Sequence, residues 1–346
     1  MEIQITQDLV RKESITPNDA GCLKYIEDFL SERGFVNETL TYGRVKNLWS
    51  VKRNSGPLLV FLGHVDVVPT GPADQWEHNP FSGFDDGTFI NGRGTGDMKG
   101  GIACFMSALS RINVEDLNYS IGFLITADEE GPSKDGTVKV VEELMKRDEK
   151  IDYCLIGEPS TLETVGDNIR IGRRGSINIE LEVLGKQGHA AYPARVDNPI
   201  HKVVPFLDKL LSEVWDEGNE HFPPTSLQVT NITAGVGAHN VTPNNLYLKF
   251  NLRFSTQITG GEIQDKVNKF LMSEGIKHKV SFDINAEPFY SEPKLFTEVV
   301  RKSIDDIQNF ETTLSCSGGT SDGRFIAKTG CELSLIHISE PTRLAT

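Results

Sequence analysis

The sequence predicts an α/β fold: a large mixed, mostly parallel sheet flanked by helices, with a smaller α/β domain inserted into it. Three short apolar runs predict the strands of the large sheet, at 58–62, 121–126 and 153–156. Nearly continuous apolar runs of this length are typical of strands that are buried on both faces. Two later segments, 176–184 and 246–254, alternate apolar and polar residues, which predicts strands with one face in water. The change of pattern near Arg173 marks the start of the smaller domain.

Helices are predicted from the spacing of apolar residues and from residues that start or end a helix. Near the N-terminus a helical pattern ends at 9–10, and Thr16 followed by Pro17 is typical of a helix start. The next pattern runs from 22 to 30 and stops before Gly34. Further helices are predicted at 98–112, at 136–147, around 204–211 and after Pro293, with a glycine-rich loop at 317–323.

Composition narrows the classes of function. The chain has 346 residues, with 35 basic and 49 acidic side chains and a net charge of −14. This acidic balance disfavours a nucleic-acid partner, and no apolar run reaches the ~18–20 residues that a membrane span needs. Five cysteines without a CxxC pair, and a first segment without the apolar core of a signal peptide, predict a cytoplasmic protein.

Side chains that bind metals follow the three predicted strands of the large sheet. His64 comes after the first strand, Glu129 and Glu130 after the second, and Glu158 after the third, while Asp97 precedes a helix. The carboxyl ends of parallel strands meet at one edge of a sheet, where such folds place their sites. Nitrogen and oxygen ligands without thiolate suit Zn²⁺ or Co²⁺ better than Mg²⁺ or Ca²⁺.

The number of carboxylates makes a pair of metals plausible. Two metals bridged by one carboxylate lie roughly 3.5–4 Å apart and together activate a water and polarise a carbonyl. Glu129 and Glu130 are adjacent, so one can bind metal while its neighbour accepts the proton of the water. Asp66, two residues after His64, suits a carboxylate that fixes the tautomer of a metal-bound imidazole.

Each of these signals taken alone has an ordinary explanation. The acidic run 128–130 is typical of a solvated surface, and His64 with Asp66 is compatible with a surface pair. The segment 92–97 resembles a turn or a phosphate loop, but it lacks the lysine-serine ending of the latter. Their order, each after a strand-like run, favours a common metal centre.

Four segments together resemble the M20 family of di-zinc amidohydrolases: GHVDVVP at 63–69, GRGTGDMKG at 92–100, ADEEG at 127–131 and GEPS at 157–160. The family includes acetylornithine deacetylases, glutamate-type carboxypeptidases and aminoacylases. The resemblance covers about residues 3–330. It implies a discontinuous metal-binding catalytic domain, 1–174 plus 290–346. The inserted residues 175–289 would then form a lid domain through which two subunits make a homodimer.

The resemblance also assigns roles to the metal-type side chains. His64 and Glu158 would bind one zinc ion, Glu130 the other, and Asp97 would bridge both. Two zinc ions per subunit are implied, and cobalt is an alternative. Glu129 would act as the general base and later deliver the proton to the leaving amine.

Two features outside the ligand set follow from the same resemblance. His189 matches a lid-domain histidine that reaches the neighbouring subunit's site and stabilises the tetrahedral oxyanion, and Asn240 would assist it. We assign no role to His239. The family commonly holds its bridging aspartate before a cis peptide, so the bond between Asp97 and Met98 is expected to be cis.

The implied substrate is a small molecule with several carboxylates, which a chain of this charge repels at long range. Arginine, with its planar pair of donors, is the expected means of holding carboxylates. The candidate substrate-binding residues are Arg173, Arg174, Tyr192, Arg253, Gly319, Thr320 and Ser321, with Arg324 as a further arginine. Arg174 is also compatible with an outward-facing strand charge.

The end of the sequence departs from the family pattern. The family takes its last zinc ligand from a late histidine that follows a Gly-Pro pair, and this sequence follows the pattern only to about Gly330. The string from Cys331 onward resembles translated adapter or vector sequence, so we expect the tail 331–346 to be non-native and the chain to be truncated. His337 is a weak substitute for the missing ligand. Another M20 amidohydrolase, such as an acetylornithine deacetylase, and a catalytically impaired metal-binding fragment are therefore the alternatives.

Overall fold

The structure, a computed structural model, describes residues 1–318 and 321–336, which fall into two compact units. The larger unit contains Met1–Ile171, Ser291–Ser315 and the chain from Ser321 onward, and the smaller contains Gly172–Tyr290 with the short segment that starts at Cys316. Within the described residues, no helix is both long enough and apolar enough to cross a bilayer.

The strands and helices of the described residues are numbered in chain order. The strands are β1 Val36–Tyr42, β2 Val45–Lys52, β3 Leu58–His64, β4 Phe84–Asp85, β5 Ile90–Asn91, β6 Ser120–Thr126, β7 Tyr153–Ile156, β8 Asn168–Arg170, β9 Gly172–Arg173, β10 Gly175–Leu184, β11 Gly188–His189, β12 Ser226–Ala234, β13 Val241–Thr242, β14 Asn245–Phe254, β15 His278–Ala286, β16 Phe289–Tyr290, β17 Thr313–Ser315 and β18 Glu332–Leu335. The helices are α1 Glu2–Val10, α2 Cys22–Ser31, α3 Gly100–Ser110, α4 Thr137–Lys146, α5 Pro199–Ser212, α6 Gly260–Ser273, α7 Leu295–Gln308 and α8 Gly323–Ile326.

The larger unit is built on an eight-stranded sheet in the order β1-β2-β6-β3-β7-β18-β8-β17. The pairs β3–β6, β3–β7, β7–β18 and β8–β17 are parallel, and β1–β2, β2–β6 and β8–β18 are antiparallel. This confirms the predicted mixed, mostly parallel sheet. The β1–β2 hairpin was not predicted, because β1 is only partly buried and its sequence carries no apolar run.

The central strand β6 is buried at every position, as its apolar run predicts. Helices α1, α2 and α3 contribute Leu9, Ile26 and Ile102 to a core that also contains Phe123 of β6. Burial of such side chains stabilises the sheet by about 1.5–3 kcal/mol each relative to exposure. The sheet is therefore a rigid base for the side chains that leave its carboxyl edge.

Two predicted helix starts differ from those in the structure. Thr16 does not cap α2, which begins after Gly21, a residue with left-handed φ of 83°. Asn18 and Asp19 instead accept hydrogen bonds from main-chain N–H groups two residues later, which closes a turn before the helix. Helix α3 begins at Gly100, because Asp97 has extended backbone angles that interrupt the helix predicted from 98.

The smaller unit is an antiparallel four-stranded sheet in the order β12-β14-β10-β15. The alternation predicted for β10 and β14 is observed, with Ile177 and Phe250 on a buried face and Glu180 exposed. Helices α5 and α6 supply the rest of this core. Phe206 and Leu210 of the predicted helical pattern are buried in α5 together with Val203, whereas Val204 and Leu211 of the same pattern are exposed.

Candidate metal centre

In the larger unit, the side chains that can bind metals lie at the carboxyl ends of three neighbouring parallel strands, at one edge of the sheet. Strand β3 lies between β6 and β7. His64 is the last residue of β3, Glu129 and Glu130 follow β6, and Glu158 follows β7. Because these strands are parallel, their carboxyl ends coincide, as the sequence predicted.

His64 is oriented for ligation through Nε2. The ring is 1% exposed, and Nδ1 lies 2.9 Å from the main-chain oxygen of Asp66. A carbonyl oxygen can only accept, so Nδ1 carries a proton and the Nε2 lone pair of the neutral ring faces outward. Nε2 lies 3.0 Å from Asp97 Oδ1 and 3.7 Å from Glu158 Oε1.

Asp97, whose carboxylate lies next to His64 Nε2, is an exposed residue with buried neighbours. Its side chain is 49% exposed, whereas Met98 and Lys99 are fully buried. The peptide bond between Asp97 and Met98 is cis, which confirms the expectation taken from the family resemblance.

One ligand atom from each of His64, Asp97 and Glu158 lies within 4.8 Å of the others. In the part of the chain that the structure describes, no such group includes Glu130. Glu129 Oε2 is 4.0 Å from His64 Nε2, at the rim of the cluster. Three of the four predicted metal ligands are therefore brought together and the fourth lies farther away.

Asp66 holds the loop after β6. Its carboxylate accepts hydrogen bonds from the main-chain N–H groups of Glu129, at 3.3 Å, and of Glu130, at 3.1 Å. The predicted role was to fix the tautomer of His64, and this detail needs correction. The main-chain oxygen of Asp66 fixes the tautomer, while its carboxylate stays 3.6 Å from Nδ1.

The charges of the cluster fit a cation. Burial lowers the pKa of His64, but the hydrogen bond to Asp97 and the charges of Glu129 and Glu158 outweigh burial and raise it well above its ordinary value. Burial also raises the pKa of Glu129 well above its usual range, and the His64 charge opposes this. A neutral Nε2 would point its lone pair at carboxylate oxygens. A divalent cation accepts all of these atoms as ligands and relieves the conflict.

Sequence reasoning missed several polar residues near this edge. Buried Asp128 accepts from the main-chain N–H groups of Lys134 and Asp135 and so shapes the loop after β6. Asp322, at the start of α8, is 4% exposed. Arg170, at the end of β8, is in charge range of Glu158. Only burial distinguishes these residues from ordinary surface charges, and the sequence does not report burial.

The predicted lid residues lie in the smaller unit. His189 is exposed in β11, and the main-chain N–H of Ala191 donates to its Nδ1 at 3.1 Å. The side-chain amide of Asn240 lies 3.4 Å from His189 Nε2. Tyr192 is 58% exposed beside the His189 ring, at 5.8 Å between centroids. These contacts bring His189, Asn240 and Tyr192 into one group.

The candidate arginines divide by their surroundings. Arg173 is 3% exposed and donates to the main-chain oxygen of Ser317 at 3.3 Å. Arg174 donates to Ser226 Oγ at 3.5 Å. Burial lowers the pKa of Arg253, and the like charge of Arg174 lowers it further, so these two guanidinium groups are close.

The remaining predictions concern the end of the chain. Ser321 is fully buried, whereas Gly319, Thr320 and His337 lie outside the described residues. Cys331, where we predicted that the sequence leaves the family pattern, is followed by β18. This strand pairs with β7 and β8 inside the large sheet and is mostly buried. The non-native origin of the tail stays a prediction.

The fold and this site define a class of protein. The model of Peptidase family M20/M25/M40 matches residues 60–342. The chain belongs to this family and is a metal-dependent amidohydrolase.

Individual proteins are similar to this chain over nearly its whole length. A protein named succinyl-diaminopimelate desuccinylase from Hahella chejuensis is 47% identical over 333 residues, 96% of this chain and 87% of that protein. Among solved structures, an M20 family metallo-carboxypeptidase from Sulfolobus solfataricus matches with a TM-score of 0.82 at 18% identity, over 97% of this chain and 90% of that one. A dinuclear metal binding peptidase of the M20 family from Bacillus subtilis matches with a TM-score of 0.67 at 13% identity, over 99% and 90%. The two structural likenesses show the fold.

Proposed function

We propose that this chain hydrolyses N-succinyl-LL-2,6-diaminopimelate to succinate and LL-2,6-diaminopimelate, a step of lysine and diaminopimelate biosynthesis in the cytoplasm. The observation that carries the proposal is the 47% identity to a protein named succinyl-diaminopimelate desuccinylase over 96% of this chain. The ligand cluster at the carboxyl edge of the large sheet supports the same chemistry. The bond to be cleaved is a linear amide.

The proposed metals are zinc ions, two per subunit, with cobalt as a substitute. His64, Asp97 and Glu158 would hold one ion, and Asp97 and Glu130 the other. Nitrogen and oxygen ligands without thiolate support this choice, and the Bacillus subtilis relative is described as dinuclear. When bound, the ions supply positive charge that polarises the amide carbonyl and makes water a better nucleophile.

Glu129 is the general base in this proposal. Burial raises its pKa well above the usual range, so its carboxylate holds a proton more firmly near neutral pH than a solvated glutamate does. It takes a proton from the attacking water and delivers it to the leaving amine. The hydrogen bonds from the Glu129 and Glu130 main chain to Asp66 orient this loop while both carboxyl groups remain available.

His189 is proposed to donate to the oxyanion that develops at the amide carbonyl. Because the Ala191 N–H can only donate, Nδ1 of His189 is the acceptor, and the neutral ring carries its proton on Nε2. An N–H donor is what an oxyanion requires. The amide nitrogen of Asn240 lies 3.4 Å from Nε2, and since both nitrogens are donors, Asn240 would restrain the ring by contact and not by a hydrogen bond.

Substrate carboxylates are proposed to pair with the arginines of the smaller unit. No ion pair in residues 1–318 and 321–336 includes Arg174 or Arg253, although the two guanidinium groups repel each other. A substrate carboxylate between them would relieve this repulsion and offset the long-range repulsion by a chain of charge −14. Arg173, Tyr192 and the loop at 319–321 complete the proposed binding set.

The test is a substrate panel on the Zn²⁺- and Co²⁺-loaded protein. We expect the succinyl amide of diaminopimelate to be cleaved faster than acetylornithine. The reverse order would favour an acetylornithine deacetylase and contradict the proposal. Glu129→Gln should lower kcat by ~10²–10⁴-fold while metal binding persists. Glu163→Gln, at an exposed position, serves as the matched control.

We further propose a homodimer through the smaller unit. Ile200, Val204 and Leu211 are 39%, 57% and 63% exposed on one side of α5, and Ile232 is 55% exposed on the edge strand β12. Exposed apolar residues in a stripe along a helix and on an edge strand are typical of surfaces that a partner covers.

Light scattering after gel filtration tests the dimer. Leu211→Asp should convert dimer to monomer. The control, Ile307→Asp, alters an apolar residue of α7 in the larger unit that is also strongly exposed, and it should leave the dimer intact. A monomeric unmodified chain would refute the proposal.

A further inference from the structure

Lys99, two residues after the proposed bridging ligand, is a lysine with no exposed surface. Its ammonium donates to the main-chain oxygens of Leu9 and Lys12, at 2.9 Å in both cases. None of the ion pairs among residues 1–318 and 321–336 includes it. The charge is held by two carbonyl groups that lie about ninety positions away in the sequence.

Leu9 lies in the last turn of α1 and Lys12 lies two residues beyond its last residue, so the ammonium sits at the carboxyl end of this helix, a place that favours a cation. The last carbonyls of a helix lack partners within the helix and carry the negative end of its dipole. The last turn of α1 has no basic residue of its own. Burying an ammonium group is nevertheless costly, and a methionine of similar length would fill the space without that cost. The hydrogen bonds therefore account for a lysine here better than packing does.

The same lysine closes the loop that carries Asp97. Its main-chain N–H donates to the oxygen of Gly94 at 2.9 Å. Gly94 has a φ of 85°, and a Cβ at this position would lie 2.5 Å from Val67 Cγ1, so the loop packs directly on the segment after β3. Asp97 is half exposed and Met98 is fully buried. The position of the Asp97 carboxylate is thus set by buried neighbours on its carboxyl side.

The segment that receives Lys99 also holds the chain after His64. Ser14 Oγ donates to the main-chain oxygen of Val65 at 2.6 Å. The N–H of Val67 donates to Ser14 at 2.9 Å, and that of Thr16 to Val67 at 3.0 Å. One stretch, residues 9–16, which we name the N-terminal clamp, therefore contacts both ligand-bearing segments.

We propose that Lys99 is a positioning residue for the metal centre. Its ammonium fastens the Asp97 loop to the N-terminal clamp, which also fastens the segment after His64, and so fixes the separation between Asp97 and His64 Nε2. The inference rests on the metal centre of the proposed function. It adds that an N-terminal segment without ligands of its own sets the affinity of the site.

The experiment titrates Co²⁺ into metal-free protein and follows affinity by calorimetry and coordination by visible absorption. Lys99→Met should weaken the binding that involves Asp97 by ~10–100-fold and change the absorption spectrum, as loss of a group that orients a ligand does. The kcat should fall by a similar factor with KM little changed. Lys99→Gln keeps an N–H donor on a shorter side chain. Its Co²⁺ affinity and kcat should therefore lie between those of the unmodified protein and those of Lys99→Met.

Lys52→Met is the matched control. Lys52 also donates to a main-chain oxygen, that of Arg33, at 3.1 Å, and to Glu115, so neither of its hydrogen bonds within the described residues reaches a ligand-bearing segment. It should leave Co²⁺ affinity unchanged. Wild-type affinity and spectrum in Lys99→Met would overturn the inference. If that variant does not fold, as judged by circular dichroism, wild-type values in Lys99→Gln would do the same.

Failure of the proposed function is distinguishable from failure of this inference. A wild-type protein that binds Co²⁺ but does not cleave the succinyl amide would refute the substrate assignment, and the Co²⁺ titration would still decide the role of Lys99. A wild-type protein that binds no Co²⁺ would overturn both.

Discussion

Two histidines, one in each unit, are held by the main chain in opposite tautomers. His64, at the end of β3, is buried, and its Nδ1 faces the carbonyl oxygen of Asp66. His189, in β11, is exposed, and its Nδ1 faces the N–H of Ala191. In the neutral form, the first ring has a lone pair on Nε2 and the second has a proton there.

The difference teaches that the main chain decides what each histidine can do. A lone pair surrounded by carboxylates suits a metal ligand, whereas an N–H suits an oxyanion donor. In both cases the deciding group lies two residues after the histidine, so the choice depends on local backbone direction.

The strongest way to break this comparison is to remove His64. We expect His64→Ala to lose Co²⁺ binding and to lower kcat/KM by more than ~10³-fold, about 4 kcal/mol. The control is His278→Ala, because His278 Nδ1 also faces a main-chain oxygen, that of Ile276 at 2.7 Å, but belongs to no cluster of metal-type ligands. If both variants bind Co²⁺ as the unmodified protein does, His64 is not a ligand.

Removing His189 tests the other half of the comparison. His189→Ala should lower kcat by ~10²–10³-fold, as loss of an oxyanion donor does, and leave Co²⁺ affinity unchanged. His239→Ala changes an exposed histidine next to Asn240 and should have no effect on kcat. A loss of metal in His189→Ala would contradict the proposed division of roles.

The comparison extends to two carboxylates, the buried Asp322 and the partly buried Asp216, and to their pH dependence. Asp322 is 4% exposed. Burial raises its pKa from 3.8 to about 6, against the charge of Arg324. Between these values the folded state binds more protons than the unfolded state, so stability falls as pH rises and levels off above pH 6. Asp322→Asn should therefore stabilise metal-free protein at pH 7 by up to about 3 kcal/mol and by little at pH 3.

Asp216 is the opposite case and serves as the control. Burial opposes ionisation, but hydrogen bonds from Thr225 and Gly218 lower its pKa overall. This stabilisation is present at neutral pH and is lost as pH falls through the lowered pKa. Asp216→Asn should then destabilise at pH 7. Chemical denaturation of both variants at several pH values is the measurement, and equal signs at pH 7 would contradict the argument.

The smallest expected effect belongs to Asn240. Its amide nitrogen contacts His189 Nε2 at 3.4 Å, so Asn240→Ala should loosen the ring and lower kcat by about 3–10-fold, or about 1 kcal/mol. Combined with His189→Ala it should add nothing, because its effect passes through that ring. Full additivity in steady-state kinetics would show that the two residues act separately.

Much of the fold and of the candidate site was predictable. The apolar runs predicted β3, β6 and β7, because strands buried on both faces need apolar residues at every position. The β1–β2 hairpin was missed because an exposed edge strand has no such requirement. The predicted helix cap at Thr16 was wrong because Asn18 and Asp19 form turns of their own between Thr16 and α2.

The sequence by itself determined which side chains follow which strands, and parallel pairing then placed His64, Glu129 and Glu158 at one edge. Only the tertiary structure decided that the carbonyl of Asp66 orients His64 and that Lys99 is buried against the end of α1. The physical reason is that local apolar patterns determine where strands lie along the chain. Hydrogen-bond partners depend on backbone direction and on segments that meet only after the chain has folded.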